Sequence, residues 1–122
     1  MKPGVRFHIR ERLDTDMPAI GPGKIALLEA IASTGSITAA ARLLGMSYRR
    51  AWLLVDETNR CLLHAAVTTN AGGKRGGGTS LTHEGTELVR RYRAVERQIG
   101  SAVTRQLGSL FRDMPRQRRS RA

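Results

Sequence analysis

Two clusters in this sequence carry groups suited to chemistry, and in both the chemistry is binding rather than bond-making. The first is Ser47-Tyr48-Arg49-Arg50, a hydroxyl, a phenol and a pair of guanidiniums in consecutive positions. The second is Lys74-Arg75, set among Gly72, Gly73, Gly76, Gly77 and Gly78. A guanidinium is a planar fork of N–H donors that matches phosphate oxygens or the O6 and N7 acceptors of guanine, while lysine offers a compact cation. Other chemistries fit less well. A phosphate-binding P-loop needs Gly-Lys followed directly by Ser or Thr at the start of a helix, whereas Lys74 precedes Arg75 and a glycine run. Cys61 and His64 have a metal-ligand spacing, but only His8 and His83 remain and there is no second cysteine, so no four-ligand zinc set assembles. No paired carboxylates and no Ser-His-Asp set converge. We expect no enzyme activity, no metal and no cofactor.

The elements that must position these groups are legible around the first cluster. Ile37, Ala40, Ala41 and Leu44 fall near i, i+3, i+4, i+7, one apolar helical face. Gly45 supplies a backbone able to turn with positive φ, and Met46 an apolar plug. Ser47 is a good N-cap for a following helix. In that helix Ala51, Leu54, Val55 and Thr58 share a face, and Tyr48, Arg49 and Arg50 begin the opposite one. It should end near Asn59 to Leu62. Two helices joined at a glycine, the second led by groups that reach bases and phosphates, make a helix-turn-helix. The plainer reading is an αα-hairpin with arginines on a solvated face. A preceding helix over residues 24–33 lines Ile25, Leu28 and Ile31 or Ala32 on one side, with Leu27 beside them. Gly35 is placed to end it, and Ser36 or Thr38 to cap the next.

Around the second cluster, residues 65–70 and 79–81 read as short strands, with Val67 turned inward. The Gly-rich stretch 71–78 between them is a slim hairpin tip. It either places Lys74 and Arg75 along phosphates or in a minor groove, or is simply a disordered loop. Thr82 caps a long helix with Glu84 in its first turn. Leu88, Tyr92, Val95 and Ile99 are spaced as a coiled-coil-like seam, continuing through Val103, Leu107 and Leu110 with a slip in register. Its later turns lie too far from the domain to pack on it, and a second copy is the simplest partner. Near the N-terminus Val5, Phe7 and Ile9 alternate with Arg6, His8 and Arg10, which suggests a half-buried strand reaching Leu13 with His8 solvated. Residues 14–23 read as a loop. The last residues, from Arg112 on, form a basic tail.

The chain thus divides into an N-terminal strand and loop (1–22), a helix-turn-helix and hairpin (23–81, tip at 71–78), a long helix (82–111) and a disordered tail (112–122). Its 122 residues suit one modest core, and a formal net charge of +11 favours polyanions. Aromatic residues make up only 4%, which argues against base stacking as the main binding mode. A single cysteine, no signal-peptide run and no transmembrane stretch lead us to expect a cytoplasmic, nucleoid-associated protein with no membrane partner.

Order and spacing resemble a known family. The residues that carry it are Leu27-Leu28 to Ile31-Ala32, Thr34-Gly35-Ser36-Ile37, Gly45-Met46-Ser47-Tyr48, Ala51-Trp52, Asn59, Gly72-Gly73-Lys74 with Gly76 to Gly78, and Leu81-Thr82 with Gly85. Over roughly residues 20–100 the chain resembles the N-terminal winged helix-turn-helix domain of molybdate-responsive ModE-type transcriptional regulators, relatives of the LysR-type DNA-binding domain. The resemblance implies a fold that is mainly α with a small β-wing and a long C-terminal dimerisation helix. It implies a homodimer on double-stranded DNA, with the helix from Ser47 in the major groove and the wing on the backbone or minor groove. Tyr48 and Trp52 match recognition-helix residues of the family, and Trp52 reads as packing first and DNA contact second. Family members continue into molybdate-binding domains after the long helix. Here the basic tail stands at that point, so a separate sensor protein or an oxyanion effector is an open expectation. A sequence-tolerant architectural binder is the alternative to a sequence-specific regulator. RNA is disfavoured because the A-form major groove does not admit a helix.

Overall fold

A computed structural model of the chain describes residues 4–10, 19–70 and 78–112. Its first helix, α1 (Pro22–Thr34), starts two residues earlier than the spacing predicts. Proline at the first helical position costs nothing, since that N–H would have no intrahelical acceptor. The helix stops at Gly35, whose φ of 71° is left-handed and whose N–H bonds the Ile31 carbonyl at 2.8 Å. Ile25, Leu27, Leu28, Ala30 and Ile31 are all buried, and Ala32 is exposed. These positions run round most of the helix, so α1 is the centre of the core rather than one wall of it.

The turn between the next helices follows from two local choices. The Ser36 hydroxyl oxygen accepts the Ala39 N–H at 3.1 Å and opens α2 (Ile37–Leu43). Ile37, Ala40 and Ala41 are buried. Gly45 adopts φ 68°, a conformation that a side chain would strain. The Met46 N–H bonds the Ala41 carbonyl at 3.0 Å, and its side chain packs on the core. Leu44 departs from expectation: the helix has already ended, and the residue is exposed at the turn. Helix α3 (Tyr48–Cys61) then buries Ala51, Val55 and Thr58. The Thr58 hydroxyl is satisfied by donating to the Leu54 carbonyl at 2.7 Å.

Strands β1 (Val67–Thr69) and β2 (Thr79–Leu81) pair antiparallel, with Val67 opposite Leu81 and Thr69 opposite Thr79. Asn59 near the end of α3 holds this hairpin. Its Oδ1 accepts the Ala66 and Val67 N–H groups at 2.8 and 3.1 Å, and its Nδ2 donates to the Val67 carbonyl at 3.3 Å. The Thr79 N–H bonds the Gly35 carbonyl at 3.0 Å and ties β2 to the α1–α2 junction.

Helix α4 (His83–Leu107) is capped by Thr82, whose Oγ1 accepts the Gly85 N–H at 3.1 Å and donates to the Ala65 carbonyl at 2.6 Å. A short 3-10 turn follows at Gly108–Leu110. The predicted seam is divided. Leu88 packs on the core and Tyr92 is buried, but Val95 is exposed. The N-terminal segment already covers part of that face. Phe7 stacks on Tyr92 with ring centroids 4.1 Å apart, and the Tyr92 hydroxyl donates to the Phe7 carbonyl. This segment is not the continuous strand the alternation predicts. Among the described residues its ladder is one antiparallel bridge, Ile9 to Ile20, and Ile9 is exposed; residues 11–13 of the predicted strand lie outside them. Three helices, a hairpin and a long closing helix in this order form a winged helix-turn-helix.

Candidate nucleic-acid interface

The geometry of the first cluster begins with the Ser47 cap. Its Oγ accepts the Arg50 N–H at 3.1 Å, which satisfies one of the N–H groups left without an intrahelical acceptor at the start of α3. The cap uses an oxygen lone pair and leaves the hydroxyl proton as a donor. Tyr48, Arg49 and Arg50 are exposed on the first turn. Among the described residues neither Arg49 nor Arg50 has a carboxylate partner, whereas Arg60, Arg90, Arg91 and Arg93 all do. Among the described residues Arg6, Arg10, Arg42, Arg97, Arg105 and Arg112 also lack a carboxylate partner, so what sets Arg49 and Arg50 apart is that they stand side by side on the exposed first turn of a helix. The four predicted residues of this cluster do converge there.

Trp52 is less buried than expected. It is 38% exposed, and its ring meets that of Tyr48 edge-on at 6.2 Å. It packs on the outer surface of α3 and not in the core. Lys74 and Arg75, the second cluster, lie outside the described residues. The described root of their hairpin is closed by the Asn70 N–H bonding the Gly78 carbonyl at 2.8 Å.

Several residues that position α3 carry no signal in the spacing of apolar residues. Lys24 sits on the otherwise apolar α1, almost fully buried, with its Nζ 3.0 Å from Glu57 Oε2 on α3 and 2.6 Å from the Ala19 carbonyl. The cation is tolerated because both contacts are made. Arg93 of α4 bonds Glu29 of α1 and Glu96 of its own helix. Those carboxylates raise its pKa, the hydrogen bond to Glu29 most strongly. On the exposed side of α4, hydrogen bonding from Arg90 first, then Arg91, lowers the Glu87 carboxyl to about 2.

Cys61 and His64 join no group of three or more potential metal ligands among the described residues. Cys61 packs against the core, as a small apolar residue would. No helix among the described residues is long and apolar enough to cross a membrane.

No family model matches the chain. Known proteins nonetheless resemble it closely. ModE of Azotobacter vinelandii, a molybdenum transport protein, is 44% identical over 101 residues, which is 82% of this chain and 37% of that protein. ModE of Escherichia coli K12, a DNA-binding transcriptional dual regulator, is 42% identical over 71 residues, 58% of this chain and 27% of that protein. The chain therefore spans about a third of the length of these relatives. Among solved structures, a point mutant of Lactococcus lactis ZitR matches with a TM-score of 0.51 at 14% identity, covering 86% of this chain and 70% of that one. At that identity the likeness bears on fold alone, and the fold is the winged helix-turn-helix.

Proposed function

We propose that this chain, ModE-type in sequence and winged helix-turn-helix in fold, is a DNA-binding transcriptional regulator. It acts as a homodimer and reads its operator through the first turns of α3. One observation carries this reading: the start of α3 presents Tyr48, Arg49 and Arg50 to solvent without acidic partners among the described residues, while Ala51 and Val55 fix the other side of the same helix in the core. A rigid helix with a cationic leading turn has the shape and charge of a major-groove probe. Arg49 and Arg50 address guanine edges or phosphates, and a bidentate guanine contact contributes roughly 1–3 kcal/mol of discrimination. The Ser47 hydroxyl, Lys74 and Arg75 hold the backbone and set the register. The apolar residues on the outer turns of α4 join two copies.

The test is selection of binding sites from a random duplex pool at near-physiological salt, for the wild type and for Arg49→Ala/Arg50→Ala in parallel. The expected result is a motif of two symmetric half-sites about one helical turn apart, blurred in the variant. Strong binding with no enrichment in either pool would instead identify a sequence-tolerant architectural protein.

A further inference from the structure

The outward face of α3 holds more than arginine. At about 3.6 residues per turn, the side opposite Ala51, Val55 and Thr58 is centred on Arg49, Leu53, Asp56 and Arg60. Leu53 stands in the middle of it, 49% exposed. Trp52 stands beside it, braced by the Tyr48 ring. Neither Trp52 nor Leu53 belongs to the core cluster or to the hydrophobic residues packed against it. Burying these side chains is not what holds the domain together.

An apolar patch next to unpaired cations fits a ligand with anionic rims and apolar points on its floor. The major groove of a DNA duplex is such a ligand, because phosphates line it and each thymine projects a 5-methyl group into it. Asp56 marks how far the helix reaches. Its carboxylate, 3.0 Å from Arg60, lies one turn beyond Trp52, so residues 48–53 form a stretch free of negative charge.

We propose that Leu53 is a specificity-determining residue that reads a thymine 5-methyl group, with Trp52 flanking the contact. This rests on the reading that α3 enters the major groove. Leucine has no hydrogen-bonding group there, so it discriminates only by removing the methyl from water. One buried methyl is worth about fourfold in affinity, the equivalent of roughly 0.8 kcal/mol. Cytosine at the same position offers no methyl and is disfavoured by about that factor.

The experiment changes the DNA rather than the protein, so folding is not at issue. The duplex enriched by the full chain is synthesised with deoxyuridine replacing thymidine one position at a time, which deletes only the methyl. The wild type should bind about fourfold more weakly at one or two thymines in each half-site. Leu53→Ala should bind the thymine duplex more weakly and lose sensitivity to uracil at one of those positions. Equal wild-type affinity for thymine and uracil duplexes overturns the proposal while leaving groove entry by α3 intact. Retained uracil sensitivity in Leu53→Ala overturns the assignment to Leu53. Failure to enrich any duplex overturns both readings together.

Discussion

At the scale of single residues, Asn59 is the most exacting polar group of the domain. It answers two buried backbone N–H groups and one carbonyl with a single side chain. An unsatisfied buried N–H costs about 1–3 kcal/mol, so Asn59→Ala should destabilise the domain by roughly 2–4 kcal/mol in urea melts. Asn59→Asp keeps both acceptor contacts but turns a carboxylate oxygen towards the Val67 carbonyl in place of the donor, so it too should destabilise the domain, and more so above the carboxyl pKa. An alanine variant as stable as the wild type would mean that the hairpin is held by its own pairing. Glu87 makes a second, pH-dependent prediction. Its folded pKa of about 2 lies below the ordinary 4.5, mainly through the hydrogen bond from Arg90. A depressed folded pKa stabilises the native state above the unfolded value, and that stability drains away as pH falls from about 4.5 towards 2. NMR titration should place the Glu87 midpoint near 2, and Arg90→Gln should move it back up. An unmoved midpoint would assign the shift to Arg91.

At the scale of elements, the approach of α4 to the hairpin depends on one missing atom. A Cβ on Gly85 would fall inside van der Waals contact of the Ala66 backbone carbonyl oxygen. Gly-to-Ala changes in helices ordinarily stabilise by about 1 kcal/mol. Gly85→Ala should reverse that sign and lower the denaturation midpoint. At Gly100 an added Cβ meets only Val5 Cγ2 at 4.0 Å, so Gly100→Ala should raise the midpoint. Equal shifts in both variants would show that α4 is free to slide. The two glycines look alike in sequence, and this marks where sequence reading ends. Ser47 and Thr82 were legible as caps, and Ser36 as one of two candidates with Thr38, because capping is a contact within three residues. Gly35 and Gly45 were legible because only a glycine turns there without strain. The start of α3, and with it the first half of the candidate site, follows from those local rules. The stacking of Phe7 on Tyr92 and the Arg93–Glu29 link were not legible, since each joins residues far apart in the chain. The seam of α4 was legible as a seam but not in what covers it: periodicity says that Leu88, Tyr92 and Val95 are near neighbours on a helix, but not that Phe7 lies over Tyr92. Leu53 lies off the apolar face of α3, so the periodicity assigns it no place in the core, and its exposure beside Trp52 is seen only in the fold.

At the scale of the whole molecule, charge and length make separate demands. A net charge of +11 gives every duplex a salt-dependent attraction, with a slope set by the number of phosphates neutralised. Lys74→Ala/Arg75→Ala should reduce that slope by about one or two and weaken all sequences alike. An unchanged slope would place the wing off the backbone. Length is the second matter. Helix α4 extends about 37 Å at 1.5 Å per residue. Its first half is held by Leu88, Tyr92 and Arg93. Beyond Gly100, Leu107, Leu110 and Phe111 remain exposed, Leu110 at 77%. Side chains this exposed contribute little to the monomer, so replacing Leu110 above all should change its stability little. In a symmetric dimer the same residues would meet their copies and leave water. Leu107→Asp/Leu110→Asp should therefore sediment as a folded monomer at concentrations where the wild type is a dimer, with an unchanged circular dichroism spectrum. Its affinity for a two-half-site duplex should fall by about 10²–10⁴, because the second half-site is no longer bound at high effective concentration. Affinity for an isolated half-site should not change. A variant that stays dimeric would move the interface away from this end of α4, and one that unfolds would show that the outer turns belong to the monomer after all.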